Sequence, residues 1–257
     1  MVDLVPAVDR ALRILSAFEN GQAEYGVSEL SRTLGLNKST VHNILNTLCH
    51  HNLLQQNRTT LKYRLGPRLV QLGYLARQGL DLRETARPFL TELMHTTGET
   101  AFLSVFESGG ITIIDKAEPL GEMKITASIG QRVPVCAGCL GRAFLAWLDE
   151  AATDRILVSP GLRRFTNTSI TDPAAFKARL ALVRQRGYDV DETEEYLEGV
   201  WAVSAPIRDA DGLVAALTVV GFTSRMAPAE KKATVHAAVR SARHISQLLG
   251  AHDREES

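Results

Sequence analysis

The feature that most constrains the fold is the segment 27–54, which reads as two short helices joined by a tight turn. Leu30 and Leu34 give the first helix an apolar face, and Gly35 ends it because glycine tolerates the left-handed conformation of a helix terminus. Four apolar residues recur at helical spacing in the second helix: Val41, Ile44, Leu45 and Leu48. The pattern predicts a helix-turn-helix.

The second helix of this pair has a polar face without an acidic residue. Its members can reach base edges and phosphates: Lys38, Thr40, His42, Asn43, Asn46 and Thr47. Ser28 is a suitable cap for the first helix, and Asn37 or Ser39 for the second. An amphipathic helical hairpin inside an unrelated core would show the same periodicity, so this segment does not decide the matter alone.

Residues 54–65 read as strand, turn and strand, and a β-hairpin directly after such a helix pair is typical of a wing. The turn falls at residues 57–59, so Arg58 lies at the predicted tip with Lys62 behind it. We therefore predict an N-terminal all-α winged helix-turn-helix domain.

Charge is distributed unevenly along the chain. Between Leu30 and Leu80 there is no Asp or Glu, but there are seven Lys or Arg residues. Residues 1–77 carry nine basic and five acidic residues, a net charge of +4, which leaves −4 for the remainder of a chain whose total is zero. A basic front part suits a polyanionic partner such as double-stranded DNA, because phosphate contacts supply much of the affinity.

Membrane and secreted classes fit the sequence poorly. No apolar run approaches the ~20 residues that span a bilayer. Residues 1–10 lack the basic start and long apolar core of a signal peptide, and three cysteines are too few for a disulfide framework. We expect a cytoplasmic protein without membrane contact.

Two further helices flank the helix-turn-helix. Residues 7–20 predict a helix with this apolar stripe: Val8, Ala11, Leu12, Leu15 and Phe18. Residues 67–79 predict a linker helix whose apolar face has no partner inside the small domain. We expect this face to pack against its copy in a second subunit, with packing on its own C-terminal domain as the alternative.

After Asp81 the chain shows helices and strands in grouped order. Helices are predicted at residues 82–97, 138–148, 172–186 and 228–249, and strands at 100–106, 111–116, 123–129, 187–190, 200–206 and 213–220. This order predicts an α+β domain with a largely antiparallel sheet. The predicted domains are residues 1–66, the linker 67–80, and 81–257.

Several segments together resemble the IclR family of bacterial transcriptional regulators. They are residues 36–42 (LNKSTVH), 63–66 (YRLG), 130–146 (GQRVPVCAGCLGRAFLA), 205–209 (APIRD) and 219–221 (VVG), with Arg186, Gly187, Tyr188, Asp191 and Glu195. The resemblance implies a GAF-like effector domain and a homodimer or dimer of dimers on a palindromic operator. It also implies a small organic acid or aromatic effector. We expect no cofactor, metal site or catalytic residue.

The chain departs from the family pattern at four positions. Asn37 stands where the family often has Pro, Cys136 where it often has His, Arg142 where it usually has Lys, and Ala202 where it often has Cys. The first departure leaves DNA binding intact, whereas the other three bear on the identity of the effector. Because Ala202 leaves more room than Cys, we expect a bulkier effector.

The expected DNA contacts follow from the polar faces and the wing. They are Ser28, Lys38, Ser39, Thr40, His42, Asn43, Arg58 and Lys62. The five members on the second helix, Lys38, Ser39, Thr40, His42 and Asn43, should enter the major groove, where the amide of Asn43 suits adenine and Lys38 suits guanine or a phosphate. Arg58 should touch the backbone or the minor groove.

The expected effector site begins at Cys139 and Leu140, where unsatisfied N–H groups of a helix start favour an anion. By resemblance, the site is completed on the facing strands and at the mouth by Val200, Ala202, Thr218, and Asp191 or Glu192. Alternation along the strand puts Val200, Ala202 and Ser204 on one face and Trp201 and Val203 on the other.

Cys136 and Cys139 form a CxxC pair that admits several readings. A redox switch, half of a zinc site and a catalytic nucleophile are open alternatives, but we favour two small residues that line a loop. The acidic run at residues 192–198 reads as a solvated face. A DNA-coating protein that ignores small molecules is a further alternative, which would leave the large C-terminal domain without a role.

Overall fold

The computed structural model describes residues 4–20, 22–78, 81–107, 109–121 and 123–251. The chain divides into two compact units, Met1–Gly79 and Leu80–Ser257. The finer division into residues 1–66, 67–80 and 81–257 stays a prediction. No helix in the described ranges is long and apolar enough to cross a membrane.

The first unit is a three-helix domain with a hairpin and a trailing helix. Its elements are α1 (Pro6–Ser16), α2 (Val27–Leu34), α3 (Lys38–His50), β1 (Leu54–Gln56), β2 (Tyr63–Leu65) and α4 (Pro67–Gln78). Strands β1 and β2 pair antiparallel, with Leu54 opposite Leu65. The predicted winged helix-turn-helix is therefore present. Its core contains Ile14, Leu30, Val41, Leu45 and Tyr63, each at most 2% exposed.

The predicted apolar stripe of α1 is wrong in part. Val8 and Leu12 are 55% and 57% exposed, whereas Ile14 is fully buried. The α-helix ends at Ser16, and a 3-10 turn follows that brings Phe18 into the core. Val8 and Leu12 form an apolar face that stays largely exposed in the described part of its unit.

The cap of α2 also differs from the prediction. Gly26 is the N-cap, and its N–H donates to the Glu29 carboxylate at 2.6 Å, while Ser28 lies exposed one residue inside the helix. Asn37 stands at the N-cap of α3 without a side-chain hydrogen bond. At the C-terminus of α2 the prediction is confirmed, since Gly35 is left-handed with φ 67°.

The second unit is an α+β domain. Its helices are α5 (Leu82–Thr97), α6 (Gly138–Leu145), α7 (Glu150–Ile156), α8 (Pro173–Arg186) and α9 (Pro228–Leu248). Its strands are β3 (Thr100–Glu107), β4 (Gly110–Ala117), β5 (Arg132–Val133), β6 (Asp189–Asp191), β7 (Val200–Asp209) and β8 (Gly212–Phe222). The six strands form one sheet in the order β5-β4-β3-β8-β7-β6, and all neighbouring pairs are antiparallel.

Two predictions for this unit are wrong. Residues 123–129 form no strand, and the short strand β5 pairs with β4 instead. Residues 125–127 line a cavity instead. The segment predicted as one helix to residue 148 ends at Leu145, and α7 with a following π-turn was not predicted.

The two faces of the sheet pack against different helices. One face packs on α5 and α9 and buries Trp201 and Val203 completely. The other face packs on α6, where Val200 and Ala202 are only partly buried. The predicted alternation along β7 is therefore confirmed, and the loosely packed face is the one that holds the cavity.

Candidate nucleic-acid interface and ligand cavity

Helix α3 presents its polar face to solvent. Lys38, Ser39, His42 and Asn43 are exposed, and Thr40 is half-buried. The apolar positions of the same helix are buried in the core of the first unit, so the polar face points outward. An exposed helix with a cation and amides and no carboxylate can enter the major groove of a duplex.

The wing tip is a turn held by side-chain hydrogen bonds. The Asn57 side-chain oxygen accepts hydrogen bonds from the N–H groups of Thr59 and Thr60, at 2.9 and 3.3 Å. The Asn57 amide and the Thr60 hydroxyl both donate to the Glu24 carboxylate, at 2.8 and 3.0 Å. These bonds lower the pKa of Glu24. They leave Arg58 exposed at the tip of the wing, where a phosphate can reach it.

The predicted DNA residue Lys62 already has a protein partner. Its Nζ lies 3.2 Å from the Glu29 carboxylate, and both side chains are 40% exposed. The Gly26 N–H and then Lys62 lower the pKa of Glu29. The wing thus bonds two acids that precede the acid-free stretch, Glu24 and Glu29. Lys62 serves in part to hold the wing against α2.

A cavity of about 210 Å³ lies between the sheet, the start of α6 and two loops. All six residues predicted from the sequence line it: Cys139, Leu140, Asp191, Val200, Ala202 and Thr218. The alternative mouth residue Glu192 does not, since its exposed side chain accepts a hydrogen bond from the Trp201 indole at 3.1 Å. Sequence reasoning missed the wall formed by residues 125–127, together with Gln131 and Tyr196.

The N-terminus of α6 supplies polar donors to this cavity. Gly138 has φ 48°, and the first helical N–H with a carbonyl partner inside the helix is that of Gly141, which donates to Ala137 at 3.0 Å. No side chain caps this end. A Cβ at Gly141 would lie 2.1 Å from the Val135 carbonyl oxygen, so the approach of loop and helix requires glycine there. The N–H groups of the first turn of α6 favour an anionic group.

Asp191 places an acceptor close to these donors. Its carboxylate accepts from the N–H groups of Glu195 at 2.9 Å and Tyr196 at 3.3 Å, and a Cβ on Gly138 would lie 2.8 Å from Oδ2. Burial raises the pKa of Asp191. The cavity therefore offers an anion-binding end and an acceptor for a hydroxyl within a mostly apolar lining.

A buried ion network behind the cavity was missed from the sequence. Arg142 is 1% exposed and bonds Asp189 through Nε and Glu195 through Nη1, the latter at 2.5 Å. Arg179 shares Asp189 at 3.0 Å. Burial by itself lowers the pKa of Arg142, but the two carboxylates raise it above its ordinary value. A lone arginine in the apolar helix segment 138–146 was the signal for a buried partner.

The acidic run is only partly the solvated face that was predicted. Glu195 is 7% exposed because Arg142 holds its carboxylate. The loop around it is tied down by hydroxyls: Thr166 donates to the carbonyl of Glu194 at 2.8 Å and Ser169 to that of Glu195 at 2.7 Å. The segment containing Thr166 and Ser169 thus clamps the loop that closes the cavity.

The two cysteines of the CxxC pair are buried, free thiols. Burial raises the pKa of Cys136 to about 11, and burial followed by the nearby Asp189 and Asp191 raises the pKa of Cys139. Desolvation therefore outweighs the helix N-terminus that would activate them. Among the described residues, no group of three or more His, Cys, Asp or Glu is arranged to hold a metal ion.

Comparison with known proteins places both units in one family. The family model for the bacterial transcriptional regulator IclR C-terminal domain matches residues 74–247, and that for the IclR helix-turn-helix domain matches residues 7–58. The chain belongs to the IclR family. IclR-family proteins are transcriptional regulators that bind DNA through the helix-turn-helix domain and small-molecule effectors through the C-terminal domain.

Individual relatives agree with this assignment. The chain is 35% identical over 228 residues to the HTH-type transcriptional regulator XynR of Escherichia coli (strain K12), covering 88% of this chain and 90% of the relative. It is 34% identical over 245 residues to BhcR of Paracoccus denitrificans (strain Pd 1222), covering 94% and 86%. The crystal structure of Pseudomonas aeruginosa HmgR matches with a TM-score of 0.84 at 27% identity, over 97% of this chain and 100% of that chain.

Proposed function

We propose that this IclR-family regulator binds a palindromic operator as a homodimer or dimer of dimers in the cytoplasm, and that an organic acid in the 210 Å³ cavity changes its affinity for DNA. The observation that carries the DNA-binding part is the exposed, acid-free face of α3. Lys38, Ser39, Thr40, His42 and Asn43 enter the major groove. Ser28, Arg58 and Lys62 meet the backbone on either side.

Footprinting and binding assays with a salt titration test this assignment. Asn43→Ala should cost about 1–3 kcal/mol and relax base preference at one operator position, whereas Lys38→Gln should weaken all sequences alike and reduce the salt slope by about 1. Arg83→Gln is the matched control, because Arg83 is exposed in the second unit. Equal affinities for all four proteins on the protected sequence would refute the interface.

Exposed apolar residues support the homodimer. On α1, Val8 and Leu12 are spaced by one helical turn and are 55% and 57% exposed, and Leu4, which precedes the helix, is 67% exposed. On α4, Leu72 is 46% exposed. A second copy would bury these apolar residues. The dimer would then hold two recognition helices at the spacing of two operator half-sites. Sedimentation of the Leu12→Glu variant should show monomers, and an unchanged dimer would exclude α1 from the interface.

The lining of the cavity favours a carboxylate with an apolar body. The acid would lie at the N-terminus of α6, a hydroxyl could donate to Asp191, and the apolar part would contact Val200 and Ala202. A cavity of about 150 Å³ accepts benzene, so 210 Å³ suits one ring or a chain of about five or six carbons. We assign binding rather than catalysis, because burial raises the pKa of both thiols and no histidine belongs to the lining.

A thermal-shift screen of aliphatic, hydroxylated and aromatic acids tests the effector class. A ligand at 100 times its Kd stabilises the native state by about 2.7 kcal/mol. Ala202→Leu should abolish the shift by filling the cavity, whereas Val203→Ile changes the opposite face of β7 and should retain it. Stabilisation only by two- or three-carbon acids would contradict the expected size.

A further inference from the structure

A second and larger cavity, which we term the cationic groove, opens between α8, β6 and α9. Its volume is about 550 Å³. Its charged lining consists of Arg179, Arg186, Lys231, Lys232, His236, Glu192 and Glu195. Four Lys or Arg against two Glu give a formal charge of +2 with His236 neutral. This is a positive site on the part of the chain whose net charge is negative.

The hydrogen bonds show which of these charged side chains already have a protein partner. Arg179 binds Asp189 and the carbonyl of Val190, and Glu195 binds Arg142, so these groups belong to the buried network. The Lys231 ammonium lies 4.0 Å from the Glu192 carboxylate, at the limit of an ion pair.

The remaining basic side chains are open to solvent. Arg186, Lys232 and His236 are exposed, and no ion pair within the described part of the chain engages them. The groove therefore keeps an unneutralised positive charge contributed by two separate helices.

These features select a class of ligand. Cations that converge from two helices on one concave site favour a ligand with two or more negative charges, because a single charge would leave the others unpaired. The groove is more than twice as large as the effector cavity, with Tyr188 and Val235 as its less polar lining. A phosphate ester or a polycarboxylate has the required charge and size.

The cationic groove and the effector cavity share one loop. Within residues 191–197, Asp191 and Tyr196 line the effector cavity, whereas Glu192 and Thr193 line the groove. Glu192 also accepts the hydrogen bond from the indole of Trp201, a neighbour of Ala202 on β7. A ligand that displaces or orders Glu192 therefore acts on the wall of the effector cavity.

We propose that the cationic groove is a second ligand site, which takes a small multiply charged anion and changes the order of the loop 191–197 when it is occupied. Binding at either site then alters the affinity of the other by the same factor. The link to effector binding rests on the function proposed above, but occupancy of the groove does not depend on it.

The test titrates inorganic pyrophosphate into the full chain at constant ionic strength, without DNA or effector. In a Trp147→Phe background, the emission reports Trp201 alone. We expect a saturable change, weakened about tenfold by the double substitution Arg186→Gln and Lys232→Gln. Arg83→Gln removes an exposed charge from α5 outside the groove and should leave the affinity unchanged. Hydrogen exchange should slow at the Glu195 and Tyr196 amides, which bond Asp191.

Four outcomes would overturn the proposal. A linear, unsaturated response, or the same affinity in the double variant as in the control, would indicate an adventitious ion only. Saturable binding with unchanged exchange at Glu195 and Tyr196 would refute the action on the loop. A loss of operator affinity in the double variant without pyrophosphate would show that the groove contacts DNA. A failure of operator or effector binding alone would leave the pyrophosphate result standing, so the two proposals fail separately.

Discussion

Removal of Arg142 should expose how strongly the cavity depends on the ion network behind it. In Arg142→Met the volume is kept but the positive charge is lost. Asp189 is 2% exposed and Glu195 is 7% exposed. Asp189 keeps Arg179 as a partner, whereas the carboxylate of Glu195 loses the arginine that holds it. Breaking a buried pair by removing one partner costs about 3–5 kcal/mol.

Urea unfolding measures this cost. Both tryptophans, Trp147 and Trp201, lie in the second unit, so their emission follows that unit. With an m-value of about 2 kcal/mol/M, a loss of 3–5 kcal/mol lowers the midpoint by about 1.5–2.5 M.

A double-mutant cycle separates the ion pair from the packing. Glu195→Gln removes the charge that Arg142→Met leaves unpaired, so the double variant should recover a large part of the loss. We expect an interaction energy of at least about 1.5 kcal/mol. Strict additivity of the two substitutions, or a cost below about 1 kcal/mol for Arg142→Met, would refute the assignment of the network as a structural support of the cavity.

Three further substitutions test other parts of the structure. Gly141→Ala places a methyl group 2.1 Å from the Val135 carbonyl oxygen. It should lower the free energy of unfolding by about 1–3 kcal/mol and abolish stabilisation by effector. The control Gly73→Ala has nothing within 4 Å of its Cβ and should show neither effect. Hydrogen bonds from Lys116, Thr126 and Lys124 lower the pKa of Glu118 from 4.5 to about 2, so the carboxylate stabilises the fold above pH 4.5 and loses this effect as the pH falls towards 2. Glu118→Gln should therefore cost up to about 1 kcal/mol at pH 7 in denaturant unfolding, and a gap to the wild type that does not narrow below pH 4.5 would contradict the assignment. Leu45 is fully buried, so Leu45→Ala should lower the free energy of unfolding by about 2–5 kcal/mol and abolish operator binding on warming. Asn46 is exposed, so the control Asn46→Ala should change the melting temperature little.

The local patterns in the sequence predicted most of the fold. The helix-turn-helix, the hairpin β3–β4, the capped helix α8 and the long helix α9 all lie within a few residues of their predicted positions. These elements carry strong local signals, such as Gly35 after an apolar stripe and Asp172 before Pro173. Cys139 and Leu140 were predicted from the N–H groups of a helix start and the other four effector residues from the family resemblance, and the role of all six as a binding site stays a prediction.

What the sequence missed depends on contacts between distant residues. The exposure of Val8 and Leu12 in the α1 stripe was not predicted, because periodicity cannot distinguish a buried face from one left for another partner. Residues 123–129 have strand-like composition, yet sheet membership depends on a free strand edge, which β5 occupies. Glu195 reads as one acid in a run, because its partner Arg142 lies 53 positions earlier.

The alternation of packing along β7 has a consequence for how such regulators diversify. The side chains of Trp201 and Val203 are buried in the core of the second unit. Val200 and Ala202, on the other face of the strand, line the effector cavity. A change at Ala202 reshapes the chamber while the opposite side of the same strand keeps its contacts. Substitutions at Val200 or Ala202 can therefore change which effector fits while the opposite face of β7 stays packed.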